Sequence, residues 1–458
     1  MEAFLLRGFA GTGKTTLIGA LVKTLDSLKQ RVVLMAPTGR AAKVFALYSG
    51  HPAHTIHRRI YRQKSLTDET SFSLNENLAR NTLFIVDEAS MIGDDSFGST
   101  FGSGHLLDDL VQFVYSGEGC RLLMVGDTAQ LPPVGQDESP ALQPEVLQLY
   151  GLTVRLSQLK QVMRQTEMSA ILSNATNIRE RITALTTPNG LSPKIDMEHP
   201  LQIHCAADVS SIRGGSLIEH LSETYDHTGL DDTIVICRSN KNANIYNRGI
   251  RATILYREEE LTTGDRIMIV KNNYYWVEEE AAAMAGGDET YAGPTFLANG
   301  DMAVVRKVRH EREMYGFRFA DVRLTFPDYD DYELEVTVLL DTLSSESPSL
   351  TKNESERLFQ AVMADYEDIP NKAERYKQLR KSPYYNALQI KYAYAVTCHK
   401  AQGGQWNTVF LDRGWLPPEM VGTPEYYRWL YTAFTRATRQ IYLVNWPHEE
   451  ADAPPSDE

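Results

Sequence analysis

The chain has 458 residues, of which 42% are hydrophobic and 23% charged, and its formal net charge is −14. This length is too great for a single hydrophobic core, so we expect about two to four domains. The acidic charge excludes a chain that coats nucleic acid through a basic surface, although it permits a local groove. No apolar run approaches the roughly 20 residues of a membrane span, and no signal-peptide pattern is present. The four cysteines lack metal-type spacing, which predicts buried thiols in a reducing cytoplasm.

A phosphate-binding pattern comes first along the chain. Residues 8–15, GFAGTGKT, fit G-x-x-x-x-G-K-[ST] between a short apolar strand at 2–6 and an amphipathic helix at 14–28. In such a P-loop the lysine reaches the β- and γ-phosphates and the hydroxyl after it ligates Mg²⁺, which assigns these roles to Lys14 and Thr15. The alternative is a glycine-rich turn that binds nothing. The predicted nucleotide-binding residues of this segment are Gly8, Gly11, Thr12, Gly13, Lys14, Thr15 and Thr16.

Apolar strands and helices then alternate as in parallel α/β sheets. The predicted strands of a first sheet are residues 4–6, 32–35, 83–86, 121–125 and 154–156, and those of a second are 234–237, 392–396, 408–411 and 441–444. Between residues 250 and 390, apolar and polar residues alternate, which predicts a small antiparallel barrel at 266–270, 302–308, 317–325 and 333–340. A charged helical segment is predicted at 354–380, and the acidic, proline-containing residues 448–458 are expected to be disordered.

Two strand ends carry further polar side chains. Residues 83–86 lead into Asp87 and Glu88, and a strand that ends in two carboxylates beside a P-loop can hold Mg²⁺ and activate water. We assign Asp87 to Mg²⁺ and Glu88 to the attacking water. Without the P-loop, an acidic pair of this kind is usually a solvated strand edge. Residues 122–134 run from a strand into a polar turn, where the amide of Gln130 could contact a γ-phosphate.

Seven segments in chain order resemble motifs of superfamily 1 DNA helicases of the RecD-like and Dda-like branch. These segments are residues 8–15, 36–43, 87–90, 126–132, 162–165, 396–403 and 430–437. Residues 264–268, 272–274 and 299–301 resemble parts of the family's SH3-like insertion. The resemblance spans about residues 3–446.

The resemblance implies an α/β fold with two RecA-like P-loop parallel-sheet domains and a small SH3-like β-barrel insertion. The implied domains are 1A at residues 1–155, with a wedge insertion at 58–80, 2A at 156–262 and 390–447, and 2B at 263–389. Ile60, Tyr61 and Phe72 could flank a wedge hairpin, and a plain surface loop is the alternative.

The resemblance also assigns site residues. It implies that Arg164 and Arg436 face the γ-phosphate as arginine fingers, and that Gln402 and Gly403 take part in nucleotide binding. The positions that match the family's DNA contacts are Pro37, Thr38, Thr55, His57, Thr397 and His399. The family reads adenine with a segment ahead of the P-loop strand; this sequence starts at that strand, so we expect either lost base selectivity or a trimmed start.

The implied function is an ATP-dependent DNA helicase that moves 5′ to 3′ on single strands with Mg²⁺ and ATP. We expect a cytoplasmic monomer that binds single-stranded DNA and junctions of single- and double-stranded DNA, with no membrane contact and with repair or recombination proteins as candidate partners. One alternative is a DNA-stimulated motor subunit of a recombination or repair nuclease complex. Another is a P-loop nucleotide switch without motor activity.

Overall fold

The computed structural model describes residues 1–63, 72–93, 103–161, 169–186, 201–284, 294, 296–447 and 450–452. The chain divides into two compact units, residues 1–238 with 397–458, and residues 239–396. Within the described ranges, no helix is both long and apolar enough to cross a membrane.

The amino-terminal part of the first unit is a parallel sheet with helices between its strands. The strands here are β1 (Glu2–Gly8), β2 (Arg31–Ala36), β3 (Ala53–Thr55), β4 (Tyr61–Gln63), β5 (Phe72–Leu74), β6 (Thr82–Val86), β7 (Arg121–Gly126) and β8 (Thr153–Leu159). The helices are α1 (Lys14–Ser27), α2 (Gly39–Ser49), α3 (Ile56–Ile60), α4 (Leu106–Ser116) and α5 (Pro144–Leu149), with 3-10 helices at Ala89–Met91 and Pro140–Leu142.

Six of these strands form one sheet in the order β3-β2-β6-β7-β1-β8, in which all neighbours are parallel. Strands β4 and β5 form a separate antiparallel hairpin. Because parallel strands end at the same edge, the turns after β1, β6 and β7 lie side by side. Apolar strand residues pack against α1 and α2 in a core that contains Leu6, Ile18, Val22, Leu34, Phe45, Ile85, Leu123 and Val125.

The chain continues through α6 (Ala170–Thr186), β9 (Ile203–His204), β10 (Val209–Ile212), α7 (Leu217–Thr228) and β11 (Thr233–Cys237), with a 3-10 helix at Gly214–Ser216. The second unit follows. Its elements are α8 (Asn240–Gly249), a π-helix (Ile250–Ile254), β12 (Arg266–Ile269), α9 (Tyr275–Met284), β13 (Met302–Met314), β14 (Phe317–Phe326), a 3-10 helix (Pro327–Tyr329), β15 (Tyr332–Leu339), α10 (Asp341–Ser344), α11 (Lys352–Ala364), α12 (Lys372–Arg380) and β16 (Leu388–Tyr392).

Strands β12 to β16 close into a small barrel. Its pairs are antiparallel except β15 with β16, which run parallel. The buried carboxylate of Asp265 precedes the first barrel strand and accepts hydrogen bonds from Arg251 (2.9 Å), Arg257 (2.6 Å) and the Tyr394 hydroxyl (2.9 Å). The charge of this buried carboxylate is therefore paired with two arginines, and the network holds the start of the barrel in place.

After β17 (Ala395–Thr397) the chain re-enters the first unit through α13 (Cys398–Ala401), β18 (Trp406–Asp412), a 3-10 helix (Pro418–Met420), α14 (Pro424–Phe434), β19 (Ala437–Val444) and β20 (Ala451–Asp452). Strands β10, β19, β18 and β11 lie in that order and are parallel. Two parallel sheets and a small closed barrel confirm the predicted fold class.

Two sequence predictions differ from the structure in detail. Residues 392–396, predicted as one strand, are the end of β16 and most of β17, with Ala393 and Tyr394 between them. Within the predicted disordered tail, Ala451 and Asp452 form β20, which pairs with β9. Residues 448–449 and 453–458 lie outside the described ranges.

Candidate functional site

The loop between β1 and α1 has a conformation that its glycines make possible. Gly13 has a φ of 81°, in the left-handed region, immediately before α1. A Cβ atom on Gly8 would lie 2.8 Å from the Thr12 hydroxyl oxygen and 2.9 Å from Lys14 Cγ, so only glycine fits. The Thr12 hydroxyl donates to the Phe9 carbonyl at 2.7 Å and fixes the loop from inside. The loop is therefore preformed around the helix N-terminus, as a phosphate site requires.

Lys14 lies over this loop. Its ammonium group donates to the carbonyl oxygens of Gly8 (2.6 Å) and Phe9 (3.1 Å), and Asp127 Oδ2 is 3.8 Å away. The lysine side chain is only 16% exposed, so the charge is concentrated at the loop. This position suits a cation that contacts the β- and γ-phosphates of a nucleotide.

A cavity of about 450 Å³ opens beside the P-loop. Its walls come from the P-loop, the turns after β6 and β7, helix α6 and the connection from α14 to β19. The predicted site residues that line it are Gly11, Gly13, Lys14, Thr15, Thr16, Asp87, Glu88, Gln130 and Arg436. Residues that lie far apart in the sequence are thus brought to one cavity.

Asp87 and Glu88 form the acidic wall of the cavity. The Asp87 carboxylate accepts from the Glu88 amide at 2.8 Å, and Glu88 has a φ of 52°, a conformation that is uncommon for residues other than glycine. Burial, and then the Glu88 charge, raise the pKa of the Asp87 carboxyl well above its usual range. Two adjacent carboxylates with the Thr15 hydroxyl in the same cavity are oxygen donors of the kind that Mg²⁺ prefers. A divalent cation would also offset the repulsion between the carboxylates, so these residues fit a metal ion.

Gln130 offers an unused hydrogen-bond acceptor. The residue is 5% exposed and lines the cavity, and within the described ranges its Oε1 atom is buried without a hydrogen-bond partner. A buried acceptor of this kind costs about 1–3 kcal/mol if nothing donates to it. A water molecule or ligand hydroxyl in the cavity would satisfy it.

Arg436 brings a buried positive charge to the same cavity. It is 3% exposed, and its guanidinium donates to the Thr432 carbonyl, the Gly404 carbonyl and the Thr435 hydroxyl, each at 3.1 Å. All three acceptors are neutral, and no carboxylate of the described chain is within ion-pair distance of Arg436. A buried cation without a counter-charge is strongly unfavourable, and an anion in the cavity would stabilise it.

Tyr431 is a site residue that the sequence analysis missed. Its hydroxyl accepts a hydrogen bond from the P-loop amide of Ala10 and donates one to Asp127 Oδ2, both at 2.7 Å. On the same helix, the Thr432 hydroxyl accepts from the Leu131 amide at 2.8 Å. Helix α14, which precedes Arg436, is thereby tied both to the P-loop and to the turn after β7.

Gln402 and Gly403, predicted to bind nucleotide, lie outside the cavity wall. The Gln402 amide donates to the Leu131 carbonyl at 2.7 Å. Gly403 has a φ of 75°, and a Cβ atom there would lie 3.2 Å from the Thr38 hydroxyl and 3.1 Å from Ala41 Cβ. The structure therefore places them between the turn after β7 and the start of α2.

The residues predicted to contact DNA lie at the ends of strands or directly after them, with His57 in α3 and His399 in α13. Pro37 and Thr38 follow β2, Thr55 ends β3, and Thr397 ends β17. Thr38 and Thr55 cap α2 and α3, where their hydroxyls accept from the backbone amides three residues ahead at 3.2 Å.

Two predicted DNA contacts are histidines. Burial lowers the pKa of His57 to about 4 and lowers that of His399 as well, which favours neutral imidazoles near pH 7. Neutral rings can contact a phosphate strand by hydrogen bonds and add no charge. Arg164 and residues 64–71 of the predicted wedge segment lie outside the described ranges.

Comparison with known proteins identifies the relatives of this chain. Residues 2–188 match a family model described as an AAA domain, and residues 392–444 match a UvrD-like helicase C-terminal domain. The ATP-dependent RecD2 DNA helicase of Deinococcus radiodurans is 37% identical over 135 residues, which are 28% of this chain and 16% of that protein. The ATP-dependent DNA helicase dda of Enterobacteria phage T4 is 31% identical over 141 residues, 30% of this chain and 29% of that protein. Segments of this chain are therefore similar to segments of ATP-dependent DNA helicases.

This similarity confirms the resemblance that the seven sequence segments indicated, and the AAA-domain match supports a nucleotide as the cofactor. The alignments cover less than a third of the length of either helicase. Among solved structures, a Pif1 helicase from Bacteroides in complex with ADP-AlF3 and single-stranded DNA matches 99% of this chain and 91% of that one, at 16% identity and a TM-score of 0.47.

Proposed function

We propose that this chain is an ATP-dependent DNA helicase that translocates on single-stranded DNA. The observation that carries the proposal is the buried Arg436, which lines one cavity with Lys14 and Glu88 and has no acidic partner in the described chain. Such a constellation suits a reaction in which negative charge on phosphate must be stabilised. The 5′-to-3′ direction rests on the resemblance to the RecD-like branch.

The proposed roles follow from the position of each side chain. Lys14 holds the β- and γ-phosphates, while Thr15 and Asp87 would hold Mg²⁺, which neutralises phosphate charge when bound. Glu88 accepts a proton from the attacking water, and Gln130 positions that water through its free carbonyl oxygen. Arg436 stabilises charge on the transferring phosphate, and the resemblance assigns Arg164 a similar role.

Coupling between ATP and DNA is proposed to run through the turn after β7. Asp127 in this turn contacts Lys14 and Tyr431, and Leu131 contacts both Thr432 and Gln402. A change at the phosphates that moves this turn would therefore move α14 and the segment before β18. The proposed DNA strand lies along Pro37, Thr38, Thr55, His57, Thr397 and His399, whose polar groups suit contacts to phosphates without sequence reading. The predicted monomeric state, cytoplasmic location, domain boundaries and repair partners stay predictions.

The test is ATP turnover by the purified chain with and without a single-stranded oligonucleotide. Wild type is expected to show strong stimulation by DNA, Lys14→Ala is expected to show no turnover, and Lys23→Ala, an exposed lysine on the same helix, serves as the matched control. Turnover that is insensitive to DNA would contradict a motor and would favour a nucleotide switch.

A further inference from the structure

A second polar cavity, of about 800 Å³, lies away from the nucleotide site. It is lined at the amino ends of β2 and β6, whereas the P-loop follows the carboxyl end of β1. Four cationic side chains reach it from separate segments: Lys29 after α1, Arg31 on β2, Arg59 on α3 and Arg62 on β4. In a chain with a net charge of −14, such a concentration of positive charge calls for a physical reason.

None of these four cations has an acidic partner within ion-pair distance in the described part of the chain. The Nε atom of Arg59 is, in addition, buried without a hydrogen-bond acceptor. Some arginines elsewhere around the same sheet do have acidic partners, as in Arg80 with Glu118 (3.5 Å) and Arg155 with Glu2 (3.0 Å).

Two carboxylates also line the cavity, and they leave an excess of positive charge. One of them, Asp26, lies 3.8 Å from His51 Nε2 and not beside the arginines. The other is Glu76, which has no ion-pair partner among the four cations. The cavity is therefore suited to an anion.

Hydrogen bonds hold another part of the cavity lining in place. The buried amide of Asn77 donates to the carbonyl oxygens of Phe113 (2.9 Å) and Val114 (3.1 Å), and its oxygen accepts from the Ala79 amide at 3.1 Å. The segment that follows β5 is thus fixed to the end of α4. A fixed wall keeps the cavity open without a ligand to shape it.

The cavity is continuous with the β4–β5 hairpin. Arg62 lies on β4, opposite Ser73 of β5, so one of the four cations belongs to the hairpin itself. From the sequence, this segment is either a wedge that separates strands or a plain surface loop. A cationic cavity at the base of such a hairpin would lie next to DNA that the hairpin meets.

We propose that this cavity binds the phosphate backbone of the duplex arm at a junction of single- and double-stranded DNA. The inference rests on the proposed helicase function and adds a duplex contact to it. The ring side chains among the described lining residues are Phe113, which is 2% exposed, and His51, whose Nε2 faces Asp26 at 3.8 Å, so no tyrosine, tryptophan or exposed phenylalanine offers bases a stacking platform here. Arginines without stacking partners suit backbone phosphates, which they can bind in a bidentate manner.

The test compares the full-length double variant Arg59→Gln/Arg62→Gln with Arg80→Gln as the control outside the cavity. Equilibrium binding of a blunt duplex and of an oligo(dT) strand is measured by fluorescence anisotropy without ATP over a salt series. The slope of log K against log salt is negative, and each lost duplex phosphate contact makes it less steep by about 0.9. The slope for duplex binding should therefore be about 1.8 less steep in the double variant than in wild type. Binding of oligo(dT) and DNA-stimulated ATP turnover should stay at wild-type values.

Other outcomes overturn the proposal. An unchanged duplex slope would show that the cavity does not bind duplex phosphates. An equal change of slope on the duplex and on oligo(dT) would assign the cavity to the single strand along which the chain moves. Titration with inorganic pyrophosphate distinguishes a small-anion site, which would bind pyrophosphate while the duplex slope stays unchanged. Lys29→Gln/Arg31→Gln is a second variant should the first not fold. Because the binding is measured without ATP, failure of the helicase function appears separately, as absent DNA stimulation in wild type.

Discussion

Replacing Tyr431 with phenylalanine tests whether α14 positions Arg436 for catalysis. The Tyr431 ring is 1% exposed, and phenylalanine fills the same space without the hydroxyl. The substitution removes the hydrogen bond to the Asp127 carboxylate and leaves the Ala10 amide without its acceptor. Because Asp127 keeps its contacts to the Ala129 amide (3.0 Å) and to Lys14, the P-loop itself should stay folded.

The size of the effect follows from the bonds that are lost. A hydrogen bond to a charged group contributes about 1.5–3 kcal/mol. If this bond holds α14 in the transition state, its loss should lower kcat roughly 10- to 150-fold. The KM for ATP should change much less, since Lys14 and the P-loop amides keep their positions.

The assay is steady-state ATP turnover at saturating oligo(dT) for wild type, Tyr431→Phe and Tyr427→Phe. Tyr427 is a suitable control because it is equally buried on the same helix, and its hydroxyl contacts Arg181 (3.4 Å) and not the P-loop. The control should keep wild-type kcat. If Tyr431→Phe also keeps kcat within twofold, or changes KM alone, α14 is not positioned through this hydroxyl and the reasoning is wrong.

Three further predictions concern single residues. Glu88→Gln should still bind ATP but slow single-turnover hydrolysis by about a thousandfold, near 4 kcal/mol, and near-normal hydrolysis would show that Glu88 is not the base. Arg436→Gln can keep hydrogen bonds to neighbouring oxygens without the charge, and should lower kcat by about 10³-fold or more while nucleotide affinity changes little; an unchanged kcat would assign it a packing role. Burial raises the pKa of Asp301 to about 7, so its contribution to stability is full below pH 3.8 and is lost as pH rises through 7. Denaturant titrations should therefore show that the free energy of unfolding falls between pH 4 and pH 8 by up to about 4 kcal/mol more in wild type than in Asp301→Asn. An equal fall in both proteins would contradict the burial argument.

The sequence predicted the fold class and the P-loop strand and helix because local patterns determine them. Glycine positions, the apolar strand at 2–6 and the spacing to Lys14 are all read within one short segment. It did not predict β16, since a buried barrel strand and a buried parallel strand are both short apolar runs. Which strand pairs with β12 and β15 depends on contacts made far away in the chain.

The site was predictable where the residue type and its position beside the P-loop imply a chemistry, as for Asp87 and Glu88. Arg436 was assigned through the resemblance alone, because an arginine on such a helix is more often a surface ion pair. The structure brings all three residues to one cavity. Tyr431 carries no such signal, because its partner Ala10 is 421 residues away and a tyrosine in a helix is usually a core residue. The role of Gln402 in nucleotide binding stays a prediction; in the structure its amide donates to the Leu131 carbonyl at 2.7 Å.

The most direct test of the central claim is strand separation on paired duplexes that carry either a 5′ or a 3′ single-stranded tail. The purified chain with ATP and Mg²⁺ is expected to separate the 5′-tailed duplex and to leave the 3′-tailed duplex intact, with Lys14→Ala inactive on both. Preference for the 3′ tail would contradict the proposed direction. ATP turnover stimulated by DNA without separation of either duplex would contradict the helicase itself and would leave a translocating subunit of a larger complex.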